Sequence, residues 1–137
     1  MPASSRTIGT PQYSDCGESP SLAYVATTVT QVFFIATVPV YLTQLSYRIR
    51  VASTSGTATF YKVPSGTAVG SGTAISASTD LGSTPTADTV LNIPLLSAAV
   101  GNQAGVLLNP GDSIGVVIAG TMTNGVGLLQ GFVEPAV

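Results

Sequence analysis

The sequence predicts an all-β fold: an antiparallel β-sandwich of jelly-roll type behind an extended N-terminal arm. Three observations point there. From residue 22 onward, short apolar runs are separated by Gly, Pro, Asn and Ser at regular intervals. One of these runs alternates strictly between apolar and polar residues, the pattern of a strand with one buried and one wet face. No segment holds a 3.6-residue apolar period, and Gly and Pro interrupt every stretch long enough to form a helix. Short strands with regular turn signals make a sandwich or a jelly roll. The chain has 137 residues; that is one domain's length, enough to bury a real core.

Residues 1–20 form the expected arm, with Pro2, Pro11 and Pro20 among Ser, Thr and Gly and little apolar content. The sandwich domain is expected over residues 21–137. Its first clear strand holds Val32-Phe33-Phe34-Ile35, apolar on both faces. Such a strand is central in a sandwich or has one face against a partner. In residues 44–51, Leu45, Tyr47, Ile49 and Val51 alternate with Gln44, Ser46, Arg48 and Arg50, which predicts an amphipathic strand with Tyr47 inside. Residues 58–63 form the next, stopped by Pro64-Ser65-Gly66, and Tyr61 beside Phe60 is expected in the core. Residues 89–93 follow and end at Pro94. Residues 105–108 and 113–118 flank Asn109-Pro110-Gly111-Asp112. Pro presets φ at the second turn position and Gly accepts positive φ at the third, so the pair is expected to be a hairpin. Residues 127–133 close the fold. Ser-Gly-Thr-Ala recurs at 55–58, 65–68 and 71–74; spacings of ten and six are no solenoid period and read as recurrent turn-and-strand chemistry.

Composition limits function. Charged residues make up 7% of the chain, against about a quarter in an ordinary domain. The bases Arg6, Arg48, Arg50 and Lys62 are too few for the basic face that phosphate binding requires, so no nucleic-acid partner is expected. Residues 32–42 are the longest apolar stretch. They are too short to span a bilayer and are broken by Thr37 and Pro39, so no membrane partner is expected either. The first residues are not followed by an apolar run and do not read as a signal peptide. Cys16 is the only cysteine, which rules out a disulfide within the chain, and Asp15 and Glu18 beside it oppose a reactive thiolate.

The chain holds no histidine. Imidazole-dependent nucleophilic catalysis and zinc binding therefore lack their main residue. Asp80 and Asp88 bracket a loop that could hold calcium, but the dense Asp-x-Asp spacing of calcium loops is missing, and turn capping is the expected role. Gly70-Ser71-Gly72 lacks the Gly-Lys-Ser/Thr ending of a phosphate loop. Sugar binding often stacks a ring on Trp or Tyr; there is no Trp, and the five Tyr are scattered. No enzymatic activity, metal or cofactor is expected.

Assembly fits better. A surface of apolar residues and small hydroxyls loses little on desolvation, and a domain with so few charges tends to associate. Consecutive strand residues face opposite ways, so Phe33 and Phe34 cannot both meet one core layer of a regular strand. A subunit interface at Phe33, Phe34 and Ile35 is expected.

Phe60-Tyr61-Lys62-Val63-Pro64-Ser65-Gly66-Thr67-Ala68, followed by Gly70-Ser71-Gly72-Thr73-Ala74, resembles the strand-turn-strand passages of small tailed-bacteriophage virion proteins. Leu108-Asn109-Pro110-Gly111-Asp112-Ser113-Ile114 is similar to their late hairpin. Residues 40–137 share their Ser/Thr/Ala/Gly texture and look most like the capsid (head) decoration, or cement, class. Those are small β-sandwich or jelly-roll proteins, often trimeric, that sit on a mature capsid and clamp neighbouring capsomers. The resemblance implies a structural virion protein on the capsid exterior, made in the host cytoplasm. It implies a homotrimer, the major capsid protein as partner, and no catalytic residues. A phage tail, fibre or spike component and a receptor- or glycan-binding β-sandwich module are the alternatives.

Overall fold

The computed structural model describes residues 19–25, 27–82, 87–96 and 105–136. The arm up to residue 18, with Cys16, lies outside them. The described residues form ten strands: β1 (Ser21–Tyr24), β2 (Val29–Ile35), β3 (Val40–Val51), β4 (Ser55–Val63), β5 (Thr73–Ala74), β6 (Thr79–Asp80), β7 (Val90–Ile93), β8 (Val106–Leu108), β9 (Ser113–Thr121) and β10 (Val126–Pro135). They make two antiparallel sheets. The first runs β1-β10-β3, with β7 and β8 sharing the far edge of β3. The second runs β2-β9-β4, with β5 and β6 sharing the far edge of β4.

This order is a jelly roll. The pairs β4 with β5 and β6, β3 with β7 and β8, β2 with β9, and β1 with β10 are nested like the rungs of one long hairpin. The hairpin is wound so that β10 also pairs with β3 and β9 with β4. Eight strand positions in two four-position sheets are the jelly-roll pattern, and the predicted fold class holds.

The Asn109–Asp112 turn forms as its chemistry requires. Gly111 has φ +94°, and the Asp112 N–H donates to the Asn109 carbonyl at 2.9 Å. The expected hairpin does not form. β8 lies in the first sheet and β9 in the second, so the turn carries the chain across the sandwich. Turn residues fix local dihedrals, whereas strand pairing is decided by the partners each strand finds. The Gly111 N–H donates to the Ala36 carbonyl and the Ala36 N–H to the Asp112 carbonyl, which pins this turn to the end of β2.

The core between the sheets contains Leu42, Leu45, Ile49, Phe60, Ile75, Leu81, Leu108, Ile114, Ile118 and Leu129, all but fully buried. Burying each such side chain contributes roughly 1.5–3 kcal/mol. A bulge between β10 and β3 adjusts which side chains face in. Phe132 pairs with Gln44 and Val133 with Leu42, leaving Thr43 as the extra residue. Leu42 and Leu45, three apart, can then both point inward. Tyr47 is buried as predicted. Tyr61 is not in the core; it is half-buried and pairs with Gly115 on the outward phase of β4, opposite in sense to Phe60. Pro20, assigned by sequence to the arm, is already tied to the sandwich through its carbonyl, which accepts from the Gly131 N–H at 2.9 Å.

The core polar groups are nearly all paired. Ser53 Oγ donates to the Leu81 carbonyl and accepts from the Gly56 N–H. Ser76 Oγ accepts from the Phe60 N–H. The exception is the buried Tyr24 hydroxyl, which has no hydrogen-bond partner among the described residues. Gly127 makes room for it: a side chain there would lie 2.6 Å from the Tyr24 ring. Burial, with a smaller contribution from Tyr47, pushes the Tyr24 hydroxyl up to about 12. The unfolded chain releases this proton near pH 10 and the folded chain near pH 12. Stability is therefore intact below pH 10 and falls as pH rises to 12. Tyr24→Phe removes an unpaired buried hydroxyl and should raise stability by about 1 kcal/mol. Its urea midpoint should exceed that of the wild type, and the decline above pH 10 should be shallower. Some decline should persist, because burial and Asp80 also raise Tyr47.

Candidate functional site

The charged side chains offer no converging acid and base among the described residues. Arg48 reaches Asp88 at 3.4 Å in an exposed pair. Lys62 reaches Asp112 at 3.7 Å, while Asp112 also accepts the Asn109 N–H. Asp80 accepts the Gly82 N–H at 2.7 Å, the turn-capping role expected of it. Arg50 is exposed and has no ion-pair partner among the described residues. No three of the described acidic or sulfur groups gather in one place.

What stands out instead is the edge of the second sheet. Four sheet positions form the edges of the sandwich. Three are made of short pieces: β1 and β7 have four residues, β8 three, and β5 and β6 two each. Short edge strands are a common way to block edge-to-edge pairing. The fourth edge is β2, seven residues long, with the sequence VTQVFFI. It carries no charge and no proline. Its side away from β9 has no partner strand among the described residues.

The bulge in β2 alters the argument for Phe33 and Phe34. Val32 pairs with Gly115 and Phe34 with Ile114, so Phe33 is the extra residue. Both rings therefore pack against the core cluster. Phe33 meets Phe60 edge-on, with ring centroids 5.9 Å apart. The apolar groups left facing outward are Ile35, 63% exposed, with Val32 and Val38 beside it in the chain at 37% and 36%. Of the three expected interface residues, Ile35 is thus the most exposed. Which residues of the Val32–Ile35 run face outward was not legible in the sequence, because the phase change at Phe33 is a property of the β2–β9 pair.

No protein-family model matches this sequence, and no curated protein matches it. A chain in the solved structure of infectious bursal disease virus, Gx strain, overlays with a TM-score of 0.30 at 16% identity, covering 88% of this chain and 29% of that one. The protein spans less than a third of the viral chain's length. At that TM-score the overlay carries no argument about fold or function, and the jelly-roll assignment rests on strand order.

The second notable surface is the outer face of the first sheet. The alternation seen in β3 places Gln44, Ser46 and Arg48 on this face. Register adds their neighbours: Ser46 lies between Gln130 of β10 and Asn92 of β7, and Gln130 is also opposite Ser21 of β1. Arg48 lies between Leu128 and Val90 in the next row. The outer face of the second sheet differs, since Val69 in the short helical turn Val69–Ser71 fills the space a side chain at Gly115 would need.

Proposed function

We propose that this protein is a structural virion component that decorates and stabilises a bacteriophage capsid by clamping neighbouring capsomers. The observation that carries this reading is the long, uncharged, open edge strand β2 on an otherwise edge-protected jelly roll. Left alone, such an edge invites pairing with another chain. In a symmetric assembly that pairing becomes the contact. On this reading Ile35, with Val32 and Val38 beside it, meets a second copy in a homotrimer, and the trimer holds the major capsid protein on the capsid exterior. Many weak contacts repeated by symmetry add to a large avidity. The chemistry is mechanical and calls for no catalytic residue or cofactor.

The test is direct. A gold-labelled antibody to the chain should mark the heads of intact phage particles. Adding the protein to particles stripped of it should raise the temperature at which the heads rupture. Label confined to tails or fibres would transfer the protein to a tail, fibre or spike role. Particles with no label would overturn a virion role altogether.

A further inference from the structure

The outer face of the first sheet contains a shallow depression lined by Ser19, Gln44, Ser46, Gln130, Gly131 and Phe132. Residues 128, 130 and 132 share one phase of β10, opposite to buried Leu129 and Val133. Phe132 is therefore on the outer face, half-buried, and lies opposite Gln44. The adjacent row, Ser21–Gln130–Ser46–Asn92, crosses four strands and spans about 14 Å at ordinary strand spacing.

The hydrogen-bonding capacity of this depression is largely unspent. Gln44 Nε2 donates to Asn92 Oδ1 at 3.3 Å, which orients the Gln44 amide and leaves its carbonyl and second N–H without a partner among the described residues. The side chains of Gln130, Ser46 and Ser19 make no hydrogen bond to the described residues. Each amide offers donors and an acceptor side by side, and each hydroxyl offers both. None of the described residues that line the depression is charged. An anion would find no guanidinium there, because Arg48 is one row away and engaged with Asp88. A cation would find no carboxylate among the described lining residues. A peptide that adds a strand needs a free sheet edge, whereas Gln44, Ser46, Gln130 and Phe132 lie on β3 and β10, the interior strands of this sheet.

We propose that this depression is a binding site for a neutral hexose oligosaccharide. Adjacent hydroxyls of a pyranose supply the paired donors and acceptors that the Gln44 and Gln130 amides require. The apolar C–H face of the sugar covers the Phe132 ring, the aromatic platform that neither Trp nor the scattered Tyr provides. This site does not depend on where in a virion, or in what assembly, the chain sits.

The experiment titrates the full-length, isotope-labelled protein with lactose, maltotriose, cellotriose and mannotriose, reading backbone and side-chain amide shifts by NMR. At least one sugar should move the Gln44 and Gln130 side-chain amides and the Ser46 and Phe132 backbone signals, with a Kd on the order of 1 mM, as an open site implies. Gln130→Ala should weaken that binding by about tenfold and leave the thermal midpoint in place. 3′-Sialyllactose should bind no better than lactose. The proposal is overturned if none of the four sugars moves these signals. It is also overturned if sialyllactose binds better and its shifts centre on Arg48 and Arg50, or if an uncharged Gly-Ser peptide moves the same residues as strongly.

Discussion

Replacing Phe60 with alanine is expected to cost about 3–5 kcal/mol of stability, the range for deleting a fully buried aromatic ring. Phe60 has no exposed surface and sits in β4 at the centre of the core. Its ring meets Phe33 edge-on, a geometry worth about 0.5–1.5 kcal/mol beyond area burial. Its backbone is tied to the 75–76 segment on one side, where the Phe60 N–H donates to Ser76 Oγ and its carbonyl accepts from the Ile75 N–H, and it pairs with Val116 of β9 on the other. The site is therefore poorly placed to collapse around a cavity, which favours the upper part of the range. A domain of this size is stable by only about 5–15 kcal/mol, so the variant should be close to unfolding at room temperature. Phe60→Leu keeps most of the volume and should cost much less. Urea denaturation of both variants checks the ordering. A Phe60→Ala loss below about 1 kcal/mol would mean that this ring is not in a packed core.

Ile35→Asp should have the largest effect on assembly. Ile35 is 63% exposed in the single chain, so the substitution should change the stability of the subunit by no more than about 0.5 kcal/mol. In a dry contact between copies, however, an unpaired carboxylate costs several kcal/mol, more than a hundredfold in association constant. Light scattering at decreasing concentration should show the wild type holding a trimer mass and the variant falling to the 13.7 kDa of one chain. A variant that keeps the wild-type mass would remove Ile35 from the interface. A wild type that is itself a monomer at low micromolar concentration would show that β2 does not serve self-association. Phe33 and Phe34 are poorer probes, because both rings also support the core, and their loss would confuse unfolding with dissociation.

Much of the fold was legible in the sequence. The alternation of Leu45, Tyr47 and Ile49 with Gln44, Ser46 and Arg48 marks a strand and its wet face, because side-chain direction in a strand has a period of two. Pro64-Ser65-Gly66 and Asn109-Pro110-Gly111-Asp112 mark turns, because Pro and Gly restrict or permit particular dihedrals. Strands β5 and β6, two residues each, gave no such signal, since two residues cannot show a period.

The candidate sites were legible only in part. Sequence pointed to Phe33, Phe34 and Ile35, and the bulge divided them, sending both rings toward the core and leaving Ile35 outside. It marked Gln44 and Ser46 as wet but did not indicate that Gln130 and Phe132 lie beside them, because neighbours across strands are set by register. Sequence by itself determined what depends on near neighbours along the chain: the all-β class, most strands, the turns, and the scarcity of charge that weighs against acid–base chemistry. Tertiary structure alone decided that β8 and β9 enter different sheets, that β2 lies at an open edge, and that polar side chains from several strands line one depression. Those outcomes depend on which strands pair and where a bulge shifts their phase, and pairing energy belongs to two segments at once.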